Sequence, residues 1–447
     1  MSCSPNIKPR HCIRKNSSAH IEDAEGDCDN DETSLASFLF CLVGIGYLFP
    51  FSALTQPADY WSLLFPSFNI EFTITATYMY TNLLGLAVLV FFCPSNGNFS
   101  WRIVWGFIGQ LLVLLLVPSS YFLHLDETSN YFVILGSTAL VAIITAFLDS
   151  AVIALSTQYP IQVQESLQLG VGVSTLIGSI YRDVTKLAFP SSMLVKSSLL
   201  YFYAGAGTIG LCLWAFRRLS SLRISQKVLL SDTKLQQKST ANSDTNSNIA
   251  TETSCLLGNS EEGTVLAAEK TQKNKKWVVL KKILFNELMV CLLFMSTLAL
   301  WPPLVTEIPV FTFTKLEAAS WWPLILLTIF SVMDCFGRLM VRWFRFFNYR
   351  NIWMGVLCRL LLFPLIVCSA IGILQSDVCS IIFVSLLGFT NGHTGTLCII
   401  FVNDCLDTEE ERAVAGSFTS FFLNCGLVLG ATIGLALDGL IQHLRDD

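Results

Sequence analysis

The stretch Ile329–Val341, IFSVMDCFGRLMV, lies between two runs of aliphatic and aromatic residues, yet it carries Asp334 and Arg338 one helical turn apart. In lipid, each of these charges costs about 2.5–3.5 kcal/mol near the bilayer centre unless it faces protein or water. Their i, i+4 spacing puts them on one helix face, where each lowers the cost of the other. Facing the interior of a helix bundle, the pair offers an acceptor and a forked donor to a polar ligand. The competing readings are a structural ion pair, or an Arg338 that reaches out to the membrane edge beside Arg342 and Arg345.

Composition puts this stretch in a membrane. The chain has 447 residues, 53% of them hydrophobic and 14% charged, against about 25% charged in an ordinary soluble domain. The net charge of −5 does not describe a uniformly acidic surface, because 12 of the 28 Lys/Arg fall between Arg217 and Lys282. Fifteen cysteines and five histidines are scattered, with no CxxC pair and no metal-ligand spacing. The cysteines read as small apolar fillers, and neither a metal nor a cofactor is expected.

A span needs about 20 mostly apolar residues to cross the hydrocarbon core. That rule predicts eleven transmembrane helices, near 35–56, 70–92, 101–123, 131–157, 165–189, 196–216, 282–304, 320–341, 352–374, 378–402 and 412–441. The expected class is an all-α polytopic membrane protein. It divides into a disordered tail at 1–34, a six-helix bundle at 35–217, a polar loop at 218–281 and a five-helix bundle at 282–443. The first 33 residues are polar, so no cleavable signal is read and the first apolar run would be an uncleaved anchor. The loop is rich in Ser, Thr and Asn and is expected to be disordered. Within it, ETSCLL fits an acidic dileucine sorting pattern through Glu252, Leu256 and Leu257.

Lys and Arg in the short connections set the orientation. Lys8, Arg10, Arg14 and Lys15, Arg102, the long loop, Arg342, Arg345, Arg350 and Arg412 share one side, which is read as cytoplasmic. The amino terminus is then cytoplasmic and the carboxyl terminus lies across the membrane. The sequons at Asn16 and Asn98 fall on the cytoplasmic side and are expected to carry no glycan.

Eleven spans exclude a seven-helix receptor, and no HExxH, GxSxG or His-rich loop suggests a membrane enzyme. Polar residues inside the spans suit a transporter. Asp149 lies in TAFLDSAV in mid-span with no basic residue within a turn. It could hold a proton, meet a ligand, or pair with Arg182 or Arg359 from another helix. Arg359 in CRLLLFPL reads as a helix-to-helix pin. Gly426, Gly430 and Gly434 form a GxxxGxxxG face suited to close packing, and Gly170 and Gly172 read similarly. Pro50, after Gly44 and Gly46, would let the first helix bend around a ligand.

Taken together these motifs resemble the equilibrative nucleoside transporters. DCFGR is similar to the Asp-x-x-Gly-Arg of that family's eighth helix, and CRLLLFPL to its ninth-helix Arg-to-Pro motif. GFTNGHTGTLC resembles its tenth-helix segment and AGSFTSFFLNCGLVLGATIG its last helix. YLFPFSALTQPADYWSLLFPSF and YRDVTKLAFP look most like the plant and protist branch. The likeness runs from about Gly44 to Leu437 outside the middle loop.

The resemblance implies a major-facilitator-like arrangement of six plus five helices, with two halves rocking about a central site. It implies nucleosides, or nucleobases, as cargo. Asp334 and Arg338 would bind the ribose or its surroundings, and Leu427, Leu48, Phe51, Ser52 and Thr55 would line the pocket. Asp149 would bind substrate or carry a coupling proton, leaving passive and proton-coupled transport both open. The rival cargo is an organic cation neutralised by Asp149 and Asp334. Where the family's first helix reads Pro-Trp-Asn or Ala-Trp-Asn, this chain has Pro50-Phe51-Ser52. Ser331 likewise replaces the usual Asn three residues before the aspartate. The expected partners are the nucleoside and membrane lipid, with protons and sorting adaptors as further candidates and no nucleic acid. The expected location is the plasma membrane or an endosomal or vacuolar membrane.

Overall fold

The computed structural model describes residues 16–68, 70–92, 99–123, 126–189, 193–228, 260–313 and 321–446. The helices of the amino-terminal half are α1 (Asn16–Thr55), α2 (Ala58–Leu64), α3 (Ile70–Phe91), α4 (Phe99–Ser119), α5 (Glu127–Ser156), α6 (Ile161–Ala188) and α7 (Leu194–Ser220). Those of the second half are α8 (Ser260–Leu300), α9 (Trp322–Met340), α10 (Ile352–Arg359), α11 (Leu362–Ile371), α12 (Asp377–Phe401) and α13 (Glu409–Asp446).

Local chemistry sets several boundaries. Asp126 caps α5 by accepting the Ser129 N–H at 3.1 Å, which satisfies one of the free donors of the first turn. Pro364 has no N–H for the Leu360 carbonyl and its ring crowds that carbonyl, so the ninth span breaks into α10 and α11 at Leu360–Leu361. Gly372, at φ +84°, ends α11 in the left-handed conformation, the usual stop for a helix. Asp377 opens α12 and accepts the backbone N–H groups of Phe311, Thr312 and Phe313 at 2.7–2.9 Å, tying the connection between α8 and α9 to the helix end.

Ten spans among the described residues are long and apolar enough to cross a membrane, with α10 and α11 counted as one. The expected eleventh, 165–189, is helical as α6 but does not meet that test. Gln164, Glu165, Gln168, Arg182, Asp183 and Lys186 dilute its apolar residues. Its polar side is not given to lipid: Glu165, Ser166, Gln168 and Arg182 are buried, and the helix packs on α1 and on α9.

Two further boundaries differ from expectation. Helix α1 begins at Asn16, inside the segment read as a tail, and α8 begins at Ser260, well before the expected 282. The stretch after Ser260 is rich in Glu, Ala, Lys and Gln, which favour helix but do not register in a rule that counts apolar residues. The sorting residues Glu252, Leu256 and Leu257 and the Asn98 sequon lie outside the described residues.

The first apolar core gathers α1–α7, with Phe40, Phe49, Trp61, Phe107 and Phe202 fully buried. Two further cores, around Phe330 with Ile366 and around Leu293 with Leu397, fill the second half. Large exposed side chains such as Phe92, Trp101, Phe132 and Leu361 face outward, as a surface solvated by lipid requires. The halves meet along two seams: α6 against α9 and α12, and α3 and α5 against α13.

Candidate functional site

Asp334 and Arg338 lie at the α6–α9 seam. Arg338 Nε donates to Asp334 Oδ2 at 2.9 Å, and the two residues are 2% and 5% exposed. Arg338 Nη1 crosses to α6 and donates to Gln168 Oε1 at 3.1 Å and to the Gln168 carbonyl at 3.2 Å. Arg338 therefore does not reach for the membrane edge. Arg342 and Arg345 also turn to α6, bonding Ser166 at 2.9 Å and Glu165 at 2.6 Å.

The absence of side chains allows this proximity. A Cβ on Gly172 would stand 2.7 Å from Arg338 Cδ, and one on Gly392 would overlap the Asp334 carbonyl. The close α9–α12 crossing brings Asn391 Nδ2 to Asp334 Oδ1 at 2.6 Å. Asn391 Oδ1 in turn accepts from Thr297 at 2.7 Å and from Arg359 Nη1 at 3.3 Å. Arg359 also bonds the carbonyls of Leu293 and Leu387, so it joins α10 to α8 and α12. The result is one buried network, Gln168–Arg338–Asp334–Asn391–Arg359, that crosses from one half to the other.

The second cluster lies at the other seam. Asp149 is 1% exposed and accepts from Ser420 Oγ at 3.1 Å and Asn424 Nδ2 at 3.0 Å, both on α13. The Tyr47 hydroxyl on α1 is a third donor facing it. Asp149 takes these neutral donors where pairing with Arg359 was one expectation. Asn82 Nδ2 on α3 bonds Asn424 Oδ1 at 2.8 Å. Tyr47 also lies within electrostatic reach of Arg338, so a single tyrosine stands between the two charged clusters.

Of the other expected lining residues, Phe51 and Leu427 come together on the cluster of Met79, Leu298 and Val428. Phe51 also packs on Tyr78, with ring centroids 5.0 Å apart. Ser52 is buried and its carbonyl accepts the Tyr201 hydroxyl at 3.2 Å. Thr55 donates to its own helix at the Phe51 carbonyl, 2.9 Å away, and Leu48 is half-buried. Ser331 meets Ser179 of α6 at 3.3 Å. Gly170 lies against the Cys41 carbonyl of α1, while Gly426, Gly430 and Gly434 lie against α8 or the turn after it, near Cys291, Met295 and Pro303.

A small cleft lies between the halves, lined by the polar Ser156, Thr157, Gln164, Gln168, Asn403 and Thr419 and by the apolar Ile153, Ile399 and Val402. Glu165–Arg345, Ser166–Arg342 and a 2.7 Å Asn403–Gln164 bond lie at the same end of the seam. Toward the opposite end, Thr328 bonds Asp183 at 3.2 Å, Tyr80 meets Thr432 at 3.0 Å, and the Lys186 ammonium lies 5.1 Å from the Trp321 ring centre. Gln168 and Tyr47 were not singled out in the sequence, and Asn391 and Asn424 stand there only inside segments that carry the family resemblance, without a role of their own. Each is an ordinary polar residue in an apolar run, and each acquires its role from a residue far away in the chain.

Two helical halves joined by polar seams, with buried charges at the junction and lipid-facing surfaces outside, define a multi-pass membrane transporter. The proton:xylose symporter XylE, of the major facilitator superfamily, has a similar fold, with a TM-score of 0.59, 10% sequence identity, and 93% of this chain and 96% of that one covered. The nucleoside transporter family model matches residues 135–438, and the chain belongs to that family. It is 24% identical to equilibrative nucleotide transporter 1 of Arabidopsis thaliana, covering 90% of this chain and 86% of the relative. It is 23% identical to equilibrative nucleoside transporter 1 of Rattus norvegicus, over 84% of this chain and 86% of the relative. With the nucleoside transporter FUN26 of Saccharomyces cerevisiae it shares 22% identity over 92% of this chain and 85% of the relative.

Proposed function

We propose that this protein carries nucleosides across a membrane by alternating access, with the cargo held between the Asp334–Arg338 pair and the Asp149 cluster. The observation that carries this reading is the Asp334–Arg338–Gln168 contact, which places a charged donor and acceptor set on the seam that must open. A carboxylate has about four acceptor positions, and Asp334 uses one on Arg338 and one on Asn391. The remaining positions, with the Asp149 group across the seam, suit the hydroxyls of a sugar in a site from which water is excluded. Phe51 and Tyr78 add aromatic faces for a base.

Relatives named for nucleosides and nucleotides support this cargo class, and none of those compared supports an organic cation. The basic connections favour a cytoplasmic amino terminus and a carboxyl terminus on the far side. That orientation puts the Glu165–Arg345 end of the seam toward the cytoplasm. The dileucine pattern at Glu252, Leu256 and Leu257 favours a sorting adaptor and an endosomal or vacuolar membrane over the cell surface.

Uptake of labelled adenosine and uridine into proteoliposomes containing the purified protein tests the proposal. Saturable uptake of either, competed by the unlabelled nucleoside and absent from protein-free vesicles, is expected. Uptake of an organic cation without either nucleoside would overturn the reading.

A further inference from the structure

Glu287 on α8 plays no part in the site above, yet it is 0% exposed. Its Oε1 lies 2.6 Å from Thr419 Oγ1 on α13, and its Oε2 has no partner. A hydroxyl has one hydrogen to give, and Thr419 Oγ1 also lies 3.1 Å from the Ala415 carbonyl of its own helix. Within α13 the Ala415 carbonyl also takes the Thr419 backbone N–H, so the hydroxyl hydrogen is not needed there and the 2.6 Å contact fits donation in either direction. A protonated Glu287 donates to Thr419 Oγ1 while Thr419 O–H turns to the Ala415 carbonyl. An ionised Glu287 would instead be a buried charge with one hydrogen bond and one oxygen without a partner, a state that costs several kcal/mol per ion.

Among the described residues no compensating cation stands against Glu287. On α12 the side chain facing Glu287 is the Cys398 thiol, while Arg359 on α10 is committed to Leu293, Leu387 and Asn391. Lys282, on the same helix, is paired with Glu411 at 2.7 Å. Asp404 faces Arg345 and Arg412 beyond the end of α12. Asp149, the residue expected from sequence to hold a coupling proton, faces Ser420, Asn424 and Tyr47, so that even with the Ser420 hydrogen turned to the Gly416 carbonyl it keeps two donors. Thr419 also lines the small cleft between the halves, so Glu287 is one hydroxyl away from that cleft.

We propose that Glu287 is the proton-binding group of this transporter, protonated while the halves are closed and exchanging its proton with the cleft through Thr419. In each cycle one proton from the water on one side neutralises the Glu287 carboxylate and is released to the other side when the parting halves open the cleft at Thr419. This rests on the transport reading above and assigns it a driving ion.

The test compares the wild-type protein with Glu287→Gln and Asp149→Asn in proteoliposomes by three readouts. These are nucleoside counterflow without a gradient, accumulation under an inward proton gradient, and the infrared band of protonated carboxyl groups in the purified protein. For Glu287→Gln the expected result is counterflow within about twofold of wild type, loss of gradient-driven accumulation and loss of one carboxyl band. Gradient-driven accumulation that survives in Glu287→Gln overturns the proposal, as does its loss in Asp149→Asn alone with counterflow intact. A wild type with counterflow but no response to the gradient also overturns it while leaving nucleoside transport standing. A wild type without counterflow removes the transport reading instead. The infrared band still decides protonation in that case, and an unchanged band in Glu287→Gln overturns it.

Discussion

Asp334 shows how little a pair of charges says until its neighbours are known. The i, i+4 spacing marks Asp334 and Arg338 as partners, and they are bonded at 2.9 Å. Nothing in the local sequence announces that Gln168 and Asn391 complete the set, because they are brought in by helices packed from both sides. Glu287 escaped notice for a different reason. With the seventh span expected to begin at 282, a glutamate five residues in looks like an ordinary acid within two turns of the water. Helix α8 begins at Ser260, so the same residue lies inside the bundle and fully buried. Asp334→Asn keeps the shape of the side chain but removes the charge that balances Arg338. Uridine uptake is expected to fall at least about tenfold, equivalent to about 1.4 kcal/mol, with membrane abundance near wild type. Uptake and abundance measured together check this, and unchanged uptake would return the pair to a structural role.

At the scale of helices, apolar length made most spans legible, and polar content hid others in whole or in part. The polar residues of α6 are the reason it does not pass as apolar, and they are the same residues that reach α9 at Gln168, Ser179 and Asp183. The break between α10 and α11 could be read from Pro364, whereas the early start of α8 could not be read from hydropathy. Helix crossings depend on missing side chains. Any Cβ on Gly392 would overlap the Asp334 carbonyl, so Gly392→Leu must force α9 and α12 apart. Overpacking of this kind costs about 1–3 kcal/mol or more. The expected outcome is a lower melting temperature in detergent and reduced abundance, read by fluorescence-detected size exclusion. A variant as stable as wild type would mean that the two helices are not packed this closely.

For the whole molecule, alternating access requires the two ends of the interface between the halves to open in turn. The Glu165–Arg345 contact crosses between halves at one end and Asp183–Thr328 toward the other. Cysteines at Glu165 and Arg345, joined by a short bis-methanethiosulfonate cross-linker that spans the reach of the two side chains they replace, are expected to reduce nucleoside uptake at least about tenfold. Reductant should restore it, because a covalent link at one end fixes the halves in a single state. Transport that persists in the cross-linked protein would show that this end need not part. The division into two halves was legible from the polar loop between the sixth and seventh spans. Which helices carry the seam was not, since that depends on contacts between residues well over a hundred positions apart.

The polar character of α6 also bears on how the protein is made. The ten apolar spans can partition into lipid on their own merits, but α6 exposes Glu165, Gln168 and Arg182 unless α1 and α9 cover them. Helix α1 is already present when α6 leaves the ribosome, whereas α9 is synthesised more than a hundred residues later. The amino-terminal half must therefore wait in the membrane with one side unfinished, a natural client for membrane chaperones and quality-control proteases. Expressed by itself as residues 1–240, that half should be degraded quickly, and co-expression of residues 241–447 should extend its lifetime in a pulse-chase experiment. Equal lifetimes with and without the second half would show that α6 is sheltered from the moment it is inserted.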